Sequence, residues 1–157
     1  MQAVTLRPVT KANYTECVKL KVAETQRTFV ATNLKSLADA YIYDNMHPLA
    51  IYQAKERGQE KPSTPMVGFT MYEVTDGVGF ILRLMIDARF QRQGFGRATM
   101  VEVIRRLRLH PGVELIGTSH MPANTEAAQL YASMGFVAWE PPDWAQTDPE
   151  VCLQLPL

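Results

Sequence analysis

The spacing of apolar and polar residues changes several times along this chain, and each change marks an element boundary. Ala3 to Arg7 alternates and stops at Pro8, as a short strand does. Tyr14, Val18 and Val22 recur at helical spacing and predict a helix over 13–22. Leu37, Ala38, Tyr41 and Ile42 repeat that period over 34–43, with Asn33 as the expected N-cap. The period then shortens. Leu49–Gln53 and Met66–Val74 are rich in β-formers, and the polar run KERGQEKPSTP joins them, so they read as an antiparallel hairpin with a long exposed loop. An Asp76-Gly77 turn leads into GFILRLMID, apolar almost throughout and suited to a buried central strand.

The second half reads as alternating strand and helix. Met100, Val101, Val103, Ile104 and Leu107 predict a helix over 94–109, ended by His110-Pro111-Gly112. A second central strand over 113–118, a helix over 124–134 and a strand over 136–139 follow. Pro141-Pro142 breaks the chain, and Val151 to Leu155 alternates as a strand expected at the sheet edge. The sum is a mixed α/β architecture of six to seven mostly antiparallel strands, with helices on both faces. A doubly wound parallel fold needs β-α-β units from the start, and the first half has none.

Size and charge narrow the function. The 157 residues suit one domain over 1–157, and 46% apolar with 20% charged residues suits a globular chain. Sixteen basic residues balance sixteen acidic ones, so the basic footprint of a nucleic-acid partner is missing. No apolar run approaches the ~18 residues that cross a bilayer, which argues against a membrane partner. MQAVTLRPVTK carries no secretory pattern, so a cytoplasmic location is expected. Cys17 and Cys152 are too few and too far apart for a disulfide framework or a zinc site, and no metal is expected.

The chemistry concentrates where the apolar run over 81–86 gives way to Asp87-Ala-Arg-Phe-Gln91-Arg92-Gln93-Gly94-Phe95-Gly96-Arg97. Glycines there permit positive φ and let a ligand approach backbone with no Cβ between. Free N–H groups in the first turn of the following helix, backed by its dipole, suit a phosphate or pyrophosphate. Arg92 and Arg97 add positive charge that the dipole disfavours unless an anion binds. The run matches neither G-x-x-x-x-G-K-[ST] nor G-x-G-x-x-G, because Thr99 follows where a third glycine would stand.

Gln91-x-x-Gly94-x-Gly96 between strand and helix resembles the acetyl-CoA loop of the GNAT superfamily of N-acetyltransferases. Asn124-Thr-Glu-Ala-Ala-Gln-Leu-Tyr131-Ala-Ser-Met-Gly135-Phe136 is similar to the last motif of that superfamily, N-x-x-A-x-x-L-Y-x-x-x-G-F. Gln26-x-x-Phe29-Val30-Ala31-x-Asn33-x-x-Ser36-Leu37, Val67-Gly68-Phe69 and Arg83-Leu84-Met85-Ile86-Asp87 resemble the bacterial spermine/spermidine (diamine) type more narrowly. The resemblance implies a sheet with a splayed central strand pair and acetyl-CoA as cosubstrate. Its diphosphate would lie on the backbone N–H groups of residues Gln91, Arg92, Gln93, Gly94, Phe95, Gly96 and Arg97. Its pantetheine would pair with Leu84, Met85 and Ile86 like an added strand, and a Met85 or Ile86 N–H would polarise the thioester carbonyl. Asn124 would bond the pantetheine, and Tyr131 would protonate the departing thiolate as general acid.

The implied reaction is direct attack by a primary amine of a small molecule, a polyamine among them. Peptide N-termini, lysine and aminoglycosides stay open as acceptors, as does a non-catalytic acyl-CoA-binding module. An amine titrating near ~10.4 costs roughly 4–5 kcal/mol to present neutral at pH 7, so a base should help. Glu24, Asp39, Glu73, Asp76, His47 and His120 are candidates, and Asp87 reads equally as a turn former. Arg83 is expected to pair with an acid across the sheet. His120-Met121-Pro122-Ala123 holds no acid where a polycation would want one. Relatives of this kind are often homodimers, for which an edge strand at 151–155 would offer a pairing surface.

Overall fold

The computed structural model describes residues 2–55 and 64–157, so most of the expected long loop lies outside the described residues. Among the described residues, seven strands form one sheet: β1 (Val4–Pro8), β2 (Met46–Gln53), β3 (Met66–Thr75), β4 (Val78–Ile86), β5 (Leu115–His120), β6 (Val137–Ala138) and β7 (Val151–Pro156). Their order is β1-β2-β3-β4-β5-β7-β6. Only β4 and β5 run parallel; every other neighbour pair is antiparallel. Helices α1 (Tyr14–Lys19) and α2 (Asn33–Ile42) pack through Cys17 and Leu37 on Phe69, Met71 and Met85. Helices α3 (Phe95–Leu109) and α4 (Thr125–Ser133) cover the opposite face through Met100, Val103, Leu107 and Tyr131 on Ile51, Val67, Ile81 and Ile116. Alternation along each strand sends successive side chains to these two cores. Helices on both faces and mostly antiparallel pairing are thus as expected.

Four expectations need correction. The first helix stops at Lys19 rather than at 22. Beyond it, the Asp87 carboxylate accepts from Lys21 N at 3.0 Å and Ala88 N donates to Lys21 O at 2.8 Å, so this backbone is bound elsewhere. Thr32, not Asn33, caps α2, accepting from Lys35 N at 3.2 Å. Asn33 is buried in the first turn, where its Nδ2 donates to Cys17 O at 2.9 Å. The strand expected from 113 starts at Leu115, because Glu114 N and Leu115 N both donate to Gly77 O. The C-terminal strand is not an edge: β7 lies between β5 and the two-residue β6, and Leu155 enters the core.

The central strands part company midway. β4 and β5 pair only from Val78/Leu115 to Ile81/Thr118. At that point Met71 pairs with Arg83 and Tyr72 with Ile81, which leaves Leu82 as an extra residue in β4. A bulge of this kind bends its strand and raises the local twist. β4 then follows β3 to Ile86 while β5 follows β7 to His120, and a cleft opens between them.

Candidate active site

A cleft of about 590 Å³ fills the splay. Its strand wall is Leu84, Met85 and Ile86. Asp87 N donates to Val67 O at 2.8 Å, which fixes the phase of the β3–β4 ladder. In that alternation the Met85 amide faces β3, and the amides of Leu84 and Ile86 face the cleft. Of the two thioester donors considered from sequence, Ile86 therefore has the right orientation.

The floor is the turn into α3. Arg92 (φ 61) and Gly94 (φ 88) hold left-handed conformations that reverse the chain. Gln91 pins this turn to the strand: its Nε2 donates to Ile86 O at 2.9 Å and to Gln26 Oε1 at 2.8 Å. Among the described residues, none accepts from the backbone N–H groups of residues 91–97, the first helical bond being Ala98 N to Gly94 O. Gly96 has no such conformational need, and a Cβ built on it meets only Leu130 Cδ2, at 3.9 Å. The fold leaves that space clear, which is how a cradle for an external group looks. Gln91, Arg92, Gly94, Phe95 and Gly96 line the cleft; Gln93 and Arg97 do not. The Arg97 guanidinium bonds Ser133 Oγ, and Arg92 pairs with Glu126 at 3.2 Å, so both arginines have protein partners.

The opposite wall comes from β5 and α4. Asn124 caps α4, its Oδ1 accepting from Ala127 N at 3.2 Å, and its amide hydrogens remain for a ligand. Tyr131 is only 5% exposed and packs on Phe136, with ring centroids 5.7 Å apart. Burial pushes its hydroxyl up to about 12, the Thr118 side chain offsetting part of this and Glu150 adding to it. The phenol is consequently protonated throughout the neutral range.

Of the sequence-derived base candidates, His120 alone lines the cleft. Its ring lies 6.2 Å from that of Tyr131. Its Nδ1 sits 2.8 Å from Met121 O; a carbonyl only accepts, so Nδ1 is the donor there, and in the neutral ring the lone pair falls on Nε2. Glu24 pairs with Arg27 on the surface, and Asp39, outside the cleft lining, holds both Lys35 and Arg83. Glu73 accepts from Asn45, Asp76 forms the hairpin turn, and His47 stacks on Tyr72. Asp87 is structural: it accepts from Lys21 N, Arg89 N and Arg89 Nε. Burial raises its pKa, but those hydrogen bonds outweigh burial and hold the carboxyl below its ordinary value. Sequence reasoning passed over Glu150, which lines the cleft and accepts from Ser119 Oγ at 3.3 Å. No local motif marks Glu150, because β7 brings it beside β5 from 30 residues away. Trp139 and Trp144 pack on Phe80 and not on the cleft.

The acetyltransferase (GNAT) family model matches residues 17–136, and the chain belongs to that family. It is 24% identical over 142 residues to the spermine/spermidine N(1)-acetyltransferase of Bacillus subtilis (strain 168), covering 85% of this chain and 88% of that protein. A domain from Methanocaldococcus jannaschii superposes with a TM-score of 0.74 at 14% identity, over 100% of both chains. The PaiA N-acetyltransferase of Thermoplasma acidophilum, solved with coenzyme A, superposes with a TM-score of 0.68 at 10% identity, over 99% of each chain. The protein is thus an N-acetyltransferase, and its family uses acetyl-CoA.

Proposed function

We propose that this protein binds acetyl-CoA in the splay and directs a primary amine of a small molecule onto the thioester without a covalent enzyme intermediate. The observation that carries the reading is the row of unpaired N–H groups over 91–97 beside a Gly96 that the protein leaves unfilled. These N–H groups, at the start of a helix, suit the diphosphate. Leu84 and Ile86 present amides as an edge for the pantetheine, and Asn124 adds an amide donor from across the cleft. The Ile86 N–H polarises the thioester oxygen, a role worth about 2.7–4 kcal/mol for comparable donors.

His120 Nε2 accepts a proton from the incoming ammonium, directly or through water, while Nδ1–H holds the ring on Met121 O. Tyr131 OH hydrogen-bonds the sulfur as it leaves and supplies its proton, and the second proton, shed by the acylated nitrogen, restores the phenol. With its hydroxyl near 12, full transfer to a free thiolate would be uphill, but the same burial makes a thiolate more basic too. Neither cysteine lines the cleft, and burial pushes the Cys17 thiol up to about 11, the neighbouring Glu16 adding to it, so no thiol nucleophile is at hand. The test is thiol release from acetyl-CoA with a panel of amines, polyamines, aminoglycosides and short peptides. Release with small amines supports the reading. Binding of acetyl-CoA with no release for any amine would refute it.

A further inference from the structure

We infer that Arg83 is the receptor for a carboxylate on the acceptor, so that the acetylated amine belongs to a small amino acid rather than to a polycation. This rests on the N-acetyltransferase reading above and specifies its substrate. Arg83 lines the same cleft as His120 and Glu150, on the β4 segment beyond the bulge. It does not pair with an acid across the sheet. Its Nη2 reaches Asp39 Oδ2 of α2 at 3.5 Å, and its Nη1 donates to Leu82 O at 3.1 Å. Lys35 Nζ holds that same Asp39 oxygen at 2.8 Å, so one carboxylate serves two cations. The Arg83 Nε is buried with no hydrogen-bond partner.

A guanidinium has five N–H donors, and here three lack a protein acceptor among the described residues, one of them shut away from solvent. With Nε enclosed, one N–H on each of Nη1 and Nη2 is left for a ligand, a pair that matches the two oxygens of a planar carboxylate. The remaining charges of the cleft decide the acceptor's own charge. Arg92 and Glu126 neutralise each other on the turn side. Among the described residues that line the cleft, Arg83 and Glu150 then stand as one cation and one anion, Arg83 sharing the Asp39 carboxylate with Lys35. A chain of ammonium groups would find a single carboxylate and would meet Arg83 as a like charge. A molecule carrying an ammonium and a carboxylate meets both with opposite charge.

The experiment compares acceptors that differ only by the carboxylate: leucine with 3-methylbutylamine, ornithine with putrescine, and lysine with cadaverine. Spermidine and a short peptide complete the set, with thiol release from saturating acetyl-CoA as the readout. One charge-assisted contact gives an expected kcat/KM advantage of roughly 10- to 100-fold for each carboxylated member, most of it in KM. Arg83→Gln should bring that ratio to near one, and Arg83→Lys, which keeps the charge without the fork, should retain part of it. Equal or reversed preference within the pairs overturns the proposal, and the wild-type protein alone can show it. A ratio that survives Arg83→Gln overturns it as well. Turnover confined to spermidine or the peptide refutes the amino-acid acceptor and leaves the N-acetyltransferase reading intact. Release with no acceptor at all removes both.

Discussion

Gly96→Ala separates folding from cofactor binding because the structure gives the two effects opposite signs. Gly96 is the second residue of α3 and carries no left-handed φ. A Cβ there lies 3.9 Å from Leu130 Cδ2, an ordinary contact, with nothing else within reach. Replacing an unstrained helical glycine by alanine is worth roughly 0.5–1 kcal/mol of stability, which for a chain of this size raises Tm by about 1–4 °C. The same methyl group stands on a residue that lines the cleft, next to the amides proposed to hold the diphosphate. Displacing a diphosphate from even one of them forfeits about 1.5–3 kcal/mol, or roughly 10- to 150-fold in Kd. Calorimetric titration with coenzyme A and thermal unfolding of the free protein measure the two quantities. A stabilised variant with weakened binding fits the cradle. A stabilised variant whose Kd stays within about threefold of the parent would falsify it, since the fold would tolerate the methyl and so would the ligand. Gly94→Ala cannot make this distinction: at φ 88 it costs about 1–2 kcal/mol on its own account.

Tyr131→Phe keeps the ring against Phe136 and removes only the hydroxyl, so kcat should fall about 10²- to 10⁴-fold with coenzyme A affinity retained; unchanged turnover would end its assignment as the acid. The same residue sets an alkaline stability limit. Its folded pKa of about 12 lies above the ordinary 10.0, so its contribution is complete below pH 10 and is lost as pH rises from 10 towards 12. That loss is on the order of 3 kcal/mol, and denaturant titrations of the Phe variant should show a flatter alkaline limb. Asp87→Asn should cost about 1–3 kcal/mol, because the carboxylate holds Lys21 N and Arg89. Asp87 titrates below its ordinary 3.8, so its share of stability is present above that pH and lost below it; the Asn variant should flatten the acid limb. His120→Gln should lower kcat/KM about 10²-fold for alkylamines near pH 7, and the deficit should narrow for an amine of low pKa that arrives already neutral.

The legible parts of the sequence were those where one local rule sufficed. The glycine pair after an apolar strand specified a reversing turn and a helix start, and φ at Gly94 bears that out. Helices α2, α3 and α4 followed from their periodicity to within a few residues. What stayed hidden depended on partners far away in sequence. α1 ends early because Asp87, 66 positions from Lys21, takes the Lys21 amide. Asn33 yields the cap to Thr32 because the Cys17 carbonyl needs its amide. Glu150 joins the cleft only through the pairing of β7 with β5, and the sequence around it reads as a plain loop.

Arg83 shows the same limit from the other side. Alternation along an apolar strand says that its side chain leaves the α3–α4 core, and pairing with an acid is then the economical expectation. The structure pairs it with Asp39 of α2, at 3.5 Å, rather than with an acid on a neighbouring strand, and Leu82 stands as an extra residue beside it. One inserted position ends the pairing of β4 with β5, aims the amides of Leu84 and Ile86 into the gap, and brings Arg83 to the cleft with most of its fork unspent. The proposed cofactor edge and the proposed acceptor contact therefore share one cause. A bulge is invisible to periodicity because it shifts the ladder without altering which residues are apolar. In this chain the family was legible from the glycine turn and the Asn124–Phe136 motif, whereas the proposed acceptor contact depends on a register shift.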